Sequence, residues 1–208
     1  MLAHDARDIG RGQAEVLLPM AQDALQAAGV NPQALDAIAV TRGPGAFTGM
    51  RIGLATARGF ALSLGIPCIG VTTLEVVARG VTQAERAGHV ILAAVESKRA
   101  DIYVQLFDAD LHELSNPVAA DGPAIATLLG VHTPVLAVGD AALRAREMLA
   151  EEGIEITIST ASALPDTRLV AEIASARFVA SQDAPPPAPL YLRPPDAKLP
   201  KNQGRARP

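Results

Sequence analysis

At 208 residues with 49% apolar composition, the chain can build one domain or two small lobes around a sizeable core, which excludes disorder over most of its length. A net charge of -4 excludes a body that grips nucleic acid by general basicity. What positive charge there is gathers late, because residues 184–208 hold five basic side chains against Asp196 and leave about -8 on residues 1–183.

One cysteine, Cys68, gives no disulfide framework and suits a reducing, cytoplasmic setting. The N-terminus carries no secretory pattern, and the longest uncharged apolar stretch, Gly59 to Leu74, is too short for a bilayer, so no membrane association is expected.

In chain order, Gln13 to Ala28 reads as a helix with apolar residues on two sides. Ala14, Leu18, Ala21 and Leu25 form one stripe and Leu17, Met20, Ala24 and Ala27 the other, and the second stripe wants a partner. Gly29 ends this helix, and Ala37 to Val40 is a buried strand before a glycine turn and a long helix from Phe47. A strand from Cys68 to Val71 and a helix from Leu74 to Ala87, with Leu74, Val77, Ala78 and Val81 inward, complete a parallel α/β rhythm. From Gly88 the texture changes. His89 to Val95 and Ile102 to Phe107 read as a hairpin around Ser97-Lys98-Arg99. Asp121 caps a short helix at Pro123, a strand runs from Val135 to Val138, and helices from Asp140 to Ala150 and Asp166 to Ser181 follow. The tail from Ala184 holds eight prolines in 25 residues, with Leu190 to Leu192 its best docking segment. The expected division is therefore a first lobe over 1–87, a second over 88–183 and a proline-rich basic tail over 184–208.

The stretch from Arg42 to Leu64, R-G-P-G-A-F-T-G-M-R-I-G-L-A-T-A-R-G-F-A-L-S-L, organises the rest. Gly43 and Gly45 flank Pro44 in a tight turn at a helix N-terminus. Its spacing fits neither the dinucleotide fingerprint nor a P-loop, so an anion cradle stands beside simple close packing of helix on strand. Along the helix, Gly49, Gly53, Ala57 and Ala61 leave one side open to a close-approaching backbone, while Arg51, Ala55, Arg58 and Leu62 make a mostly apolar stripe with a charge near each end. The pattern alone fits an ordinary amphipathic helix with solvated arginines equally well.

This stretch, followed by Ile66-Pro67-Cys68-Ile69-Gly70-Val71-Thr72-Thr73-Leu74, resembles the signature of the bacterial TsaB (YeaZ) family. Glu15-Val16-Leu17-Leu18-Pro19-Met20, Glu96-Ser97-Lys98-Arg99-Ala100-Asp101-Ile102-Tyr103 and Pro189-Leu190-Tyr191-Leu192-Arg193 extend the likeness over nearly the whole chain. The resemblance implies an α/β, two-lobed actin-like ATPase fold. Against that resemblance the N-terminal lobe is expected to lack its first hairpin with the Asp-Thr loop, whether from a misassigned start or a shortened form. It also implies a non-catalytic subunit that pairs with TsaD in forming N6-threonylcarbamoyladenosine beside the anticodon of tRNA. TsaE joins the larger complex, tRNA is met only indirectly, and the chain self-pairs when alone.

The residues assigned to that helix-to-helix contact are Leu17, Met20 and Ala24 on the first helix and Arg51, Leu54, Ala55, Arg58 and Leu62 on the second. No catalytic residue, metal or cofactor is expected. His4, His89, His112 and His132 are scattered without ligand spacing. Where the TsaD family, by resemblance, carries a pair of metal-binding histidines, this chain has Thr73 and Val77. An autonomous ATPase or metallopeptidase is the rival reading, and a tRNA-binding module acting through the basic tail a third.

Overall fold

The computed structural model describes residues 1–7, 9, 12–178 and 185–193. The chain opens with helix α1 (Gln13–Ala28), closed by Gly29 in the left-handed conformation. A short turn leads to strand β1 (Ile38–Thr41), helix α2 (Phe47–Leu64) and strand β2 (Cys68–Val71). β1 and β2 pair in parallel, Ile38 opposite Cys68 and Thr41 opposite Val71, and among the described residues no other strand joins them.

The pleat of this two-stranded sheet divides its faces. Val40 looks toward α2, whereas Ala39, Ile69 and Val71 pack against Val170 and Ala174 of the last helix, α7 (Thr167–Arg177). α7 falls inside the segment 88–183 assigned to the second lobe, but it returns to complete the first one.

The second sheet has the order β5-β4-β3-β6-β7. β3 (Val90–Glu96) and β4 (Ile102–Phe107) form the expected antiparallel hairpin, Ile91 opposite Phe107 and Glu96 opposite Ile102. β6 (Val135–Val138) runs parallel to β3. Two short strands the sequence did not announce, β5 (Val118–Ala120) and β7 (Thr157–Ile158), close the edges. Both faces are covered. Helices α5 (Gly122–Leu129) and α6 (Ala142–Glu151) bury Ile125, Leu129, Ala145 and Leu149 against Leu92, Val104 and Leu106. On the opposite face Leu74, Val77, Ala78 and Val81 meet Ile91, Ala93, Val95 and Phe107. This double coverage is why the strands read as continuous apolar runs rather than as alternation.

Those four inward residues were foreseen, but the helix that carries them was not foreseen correctly. Instead of one helix from 74 to 87 there are two, α3 (Thr73–Arg79) and α4 (Gln83–Arg86), broken at Gly80 and restarted by the Thr82 hydroxyl, which accepts from the Glu85 amide. α3 has its own capping box, the Thr72 hydroxyl taking the Glu75 amide and the Glu75 carboxylate taking the Thr72 amide. The helix expected from Asp166 to Ser181 is α7, with Asp166 as its cap rather than its first residue; it ends at Arg177, and the rest of the expected span leaves the described residues after Phe178. Among the described residues no helix is long and apolar enough to cross a membrane.

Candidate partner-docking face

The glycine turn fixes where α2 begins. Gly43 has φ +101°, and a Cβ there would sit 2.5 Å from the Met50 Sδ and 3.3 Å from the Leu190 carbonyl oxygen. Its carbonyl accepts the Thr73 amide at 2.8 Å, and Gly43 and Pro44 are both buried. The turn is thus occupied with packing on β1, α3 and the tail.

From that start α2 sorts its residues into two stripes one position apart. Leu54, Ala57 and Ala61 are buried toward the sheet, and Arg51, Ala55, Arg58 and Leu62 are exposed, with Leu62 at 85%. Leu54, 3% exposed, is therefore a correction to the partner-facing set: at spacing i, i+3, i+7 it shares the inner side with Ala57 and Ala61. The glycine side is also less tightly approached than expected, since a Cβ on Gly53 would meet only the Val40 Cγ2 at 4.0 Å and one on Gly49 would meet nothing within 4 Å.

α1 packs against α2 and contributes no buried residue of its own. Leu17, Met20 and Ala24 are half-buried, and Leu18 is 46% exposed. A helix with two apolar sides and no buried side chain leaves apolar surface uncovered, Leu18 included.

The tail docks at the expected segment, Leu190 to Leu192, and brings contacts to α2 and the hairpin that the sequence does not announce. Residues 185–193 form a strap across the molecule, with Pro187 buried over Gly70, whose missing Cβ would lie 2.6 Å from the Pro187 Cβ. The Leu190 amide donates to the Arg42 carbonyl at 2.8 Å, and Arg193 pairs with Asp101 and also donates to the Ser97 hydroxyl at 3.3 Å. Between these anchors Tyr191 reaches α2, where its hydroxyl accepts from the Arg51 Nε at 2.8 Å. The Arg51 guanidinium lies 3.7 Å over the Phe47 ring, and the two rings are 5.8 Å apart. The chain has only four phenylalanines and two tyrosines, and Phe47 and Tyr191 are the two that meet around Arg51.

The hairpin reached by Arg193 is a dense polar corner. Arg144 bonds Glu96 at 2.9 Å and the Ala100 carbonyl at 2.6 Å, Asp140 takes the Glu96 amide at 2.9 Å, and Lys98 adopts φ 59°.

Thr73 and Val77 have structural duties. Thr73 opens α3, and Val77 is 2% exposed within the core shared with β3. Burial opposes ionisation of Glu75, but the Arg177 guanidinium and the Thr72 amide bound to it outweigh burial and hold its carboxyl below the ordinary range. Burial raises the Cys68 thiol above its usual value, only partly offset by the charge of Arg58. Of the histidines, His112 bonds Asp108 at 3.0 Å, His89 contacts the Ala87 carbonyl and His4 lies 3.6 Å from Asp166. No group of three or more His, Cys, Asp or Glu is arranged to hold a metal ion among the described residues.

Comparison with known proteins agrees with this geometry. Residues 7–176 match the family described as TsaD, tRNA N6-adenosine threonylcarbamoyltransferase. The chain is 39% identical to the tRNA threonylcarbamoyladenosine biosynthesis protein TsaB of Escherichia coli over 100 residues, which is 48% of this chain and 43% of that protein, so it spans less than half of that relative. It is 32% identical to an uncharacterized protein of Mycobacterium tuberculosis over 90% of its own length and 78% of the other. A crystal structure of an uncharacterized Pseudomonas aeruginosa protein, described as similar to peptidase YEAZ, superposes with a TM-score of 0.67 at 27% identity, covering 90% of this chain and 87% of that one. With the glycine turn, α2 and the closing strap assembled as one face, the chain belongs to the TsaD family of tRNA N6-adenosine threonylcarbamoyltransferases, in its TsaB (YeaZ) branch.

Proposed function

We propose that this chain is the scaffold subunit of the assembly that forms N6-threonylcarbamoyladenosine beside the anticodon of tRNA, docking on TsaD through the outer face of α1 and α2. The observation that carries the reading is the stripe Arg51, Ala55, Arg58 and Leu62, exposed on a helix that buries Leu54, Ala57 and Ala61 on its inner side, beside an α1 with no buried residue. Burying one leucine such as Leu62 stabilises a complex by about 1.5–3 kcal/mol, and a contiguous face of this kind is an interaction surface by default.

Chemistry is left to the partner. Thr73 and Val77, in the positions where the TsaD family by resemblance holds histidine ligands, instead open α3, with the Thr73 amide on the Gly43 carbonyl, and pack in the core. In the absence of TsaD the same face closes on a second copy of the chain, TsaE joins the larger assembly, and tRNA is reached through TsaD.

Sedimentation velocity of the chain alone and mixed with TsaD tests this. The expected result is a self-associating protein that exchanges into a heteromeric species. A monomer that ignores TsaD overturns the reading. Metal emission spectroscopy and an ATPase assay on the tag-free chain are expected to find neither stoichiometric metal nor turnover, and either one would return the chain to the enzymes.

A further inference from the structure

On the basis of that docking reading, we infer that Arg51 recognises a carboxylate on the partner's helix and that Tyr191, delivered by the strap, holds it ready to do so. The guanidinium is fixed twice over, by its Nε donating to the Tyr191 hydroxyl at 2.8 Å and by its face lying 3.7 Å over Phe47. Both contacts leave the two terminal nitrogens, the fork that binds a carboxylate in bidentate fashion, without an acceptor among the described residues.

Arg144, Arg168, Arg177 and Arg193 are each neutralised by a carboxylate, Glu96, Asp166, Glu75 and Asp101, whereas Arg86 is spent on the Ala109 and Val81 carbonyls. Arg51 is held by neutral aromatic groups alone among the described residues, so it is ordered without being compensated. Ordering a long side chain in advance removes much of the entropy lost when it later forms a contact. The strap makes that order durable, since Tyr191 lies between the Leu190 amide bonded to Arg42 and the Arg193 pair with Asp101.

An acidic side chain on a helix fits this site better than nucleic acid does. The stripe beside Arg51 is small and apolar at Ala55 and Leu62, and the net charge of about -8 over residues 1–183 repels a polyanion.

Calorimetric titration of the full chain with TsaD provides the test, using the parent, Arg51→Gln, Arg51→Lys and Tyr191→Phe. Thermal melts establish that these surface variants fold. Arg51→Gln is expected to weaken TsaD binding at least about tenfold, Arg51→Lys is expected not to restore it, and Tyr191→Phe should weaken it by a smaller factor while leaving folding unchanged. A reversed pair, Arg51→Glu with an acidic residue of the TsaD helix changed to arginine, should recover affinity. If the parent binds TsaD and Arg51→Gln binds as tightly, the inference fails and the docking reading survives. If the parent does not bind TsaD, both fall. Loss of tRNA binding with TsaD binding intact would overturn it in favour of phosphate recognition.

Discussion

Asp166 is a single carboxylate with three tasks: it caps α7 through the Arg168 amide, pairs with the Arg168 side chain and lies near His4. The Arg168 guanidinium bound to it lowers its pKa to about 2. A depressed carboxyl stabilises the fold above its unfolded value, near 3.9, and that contribution drains away as pH falls toward 2. Asp166→Ala should therefore lower stability at neutral pH by about 1 kcal/mol, the usual worth of a cap, with the gap to the parent closing between about pH 4 and pH 2. Chemical denaturation at several pH values measures it. Ala55 makes the complementary case on the docking face. Ala55→Glu adds a carboxylate flanked at i-4 by Arg51 and at i+3 by Arg58, so the free protein should melt as the parent does. Docking would desolvate that charge and should lose about 2–5 kcal/mol, seen as loss of TsaD binding in calorimetry. Binding at parental strength would move the interface off this face.

Within α2 two glycines that look alike in sequence do different things. Gly53→Ala places a Cβ in ordinary contact with Val40, 4.0 Å away, and should raise stability by about 0.5–1 kcal/mol through helix propensity. Gly43→Ala puts a side chain at φ +101° against Met50 and the strap and should lower it by about 1–3 kcal/mol. Melting curves of the two variants should shift in opposite directions. The sequence announced α1, α2, the β3–β4 hairpin and the cap Asp121, because each rests on local chemistry that a dozen residues suffice to write. It did not announce β5 or β7, which are too short for a period to show, nor the break at Gly80, because Leu74, Val77, Ala78 and Val81 report burial whether or not the backbone stays helical. Leu54 was misplaced for a related reason: two stripes offset by one residue both look apolar when one of them carries alanine and leucine at the surface. Tyr191 lay beyond any local pattern, since its contact with Arg51 joins residues 140 positions apart.

At the scale of the whole molecule the two lobes share material. α3 belongs by sequence to the first lobe and by packing to the second sheet, while α7 and the strap return from the far end of the chain to cover β1, β2 and the glycine turn. Arg193→Ala should loosen this closure without unfolding it, costing about 0.5–1 kcal/mol for a partly exposed pair. Hydrogen exchange at the Leu190 amide should quicken, and unchanged protection there would mean that the strap is held from elsewhere. The return of α7 also bears on how the protein is made. A nascent chain leaving the ribosome has β1, α2 and β2 outside long before residues 167–177 are translated, and during that interval Ala39, Ile69 and Val71 have nothing to pack against. The second lobe, whose sheet and both covering layers lie between residues 73 and 158, can finish first. The half made earliest is then the half that matures last, so chains stalled before residue 167 should be cut by protease within residues 38–71 while residues 90–158 resist.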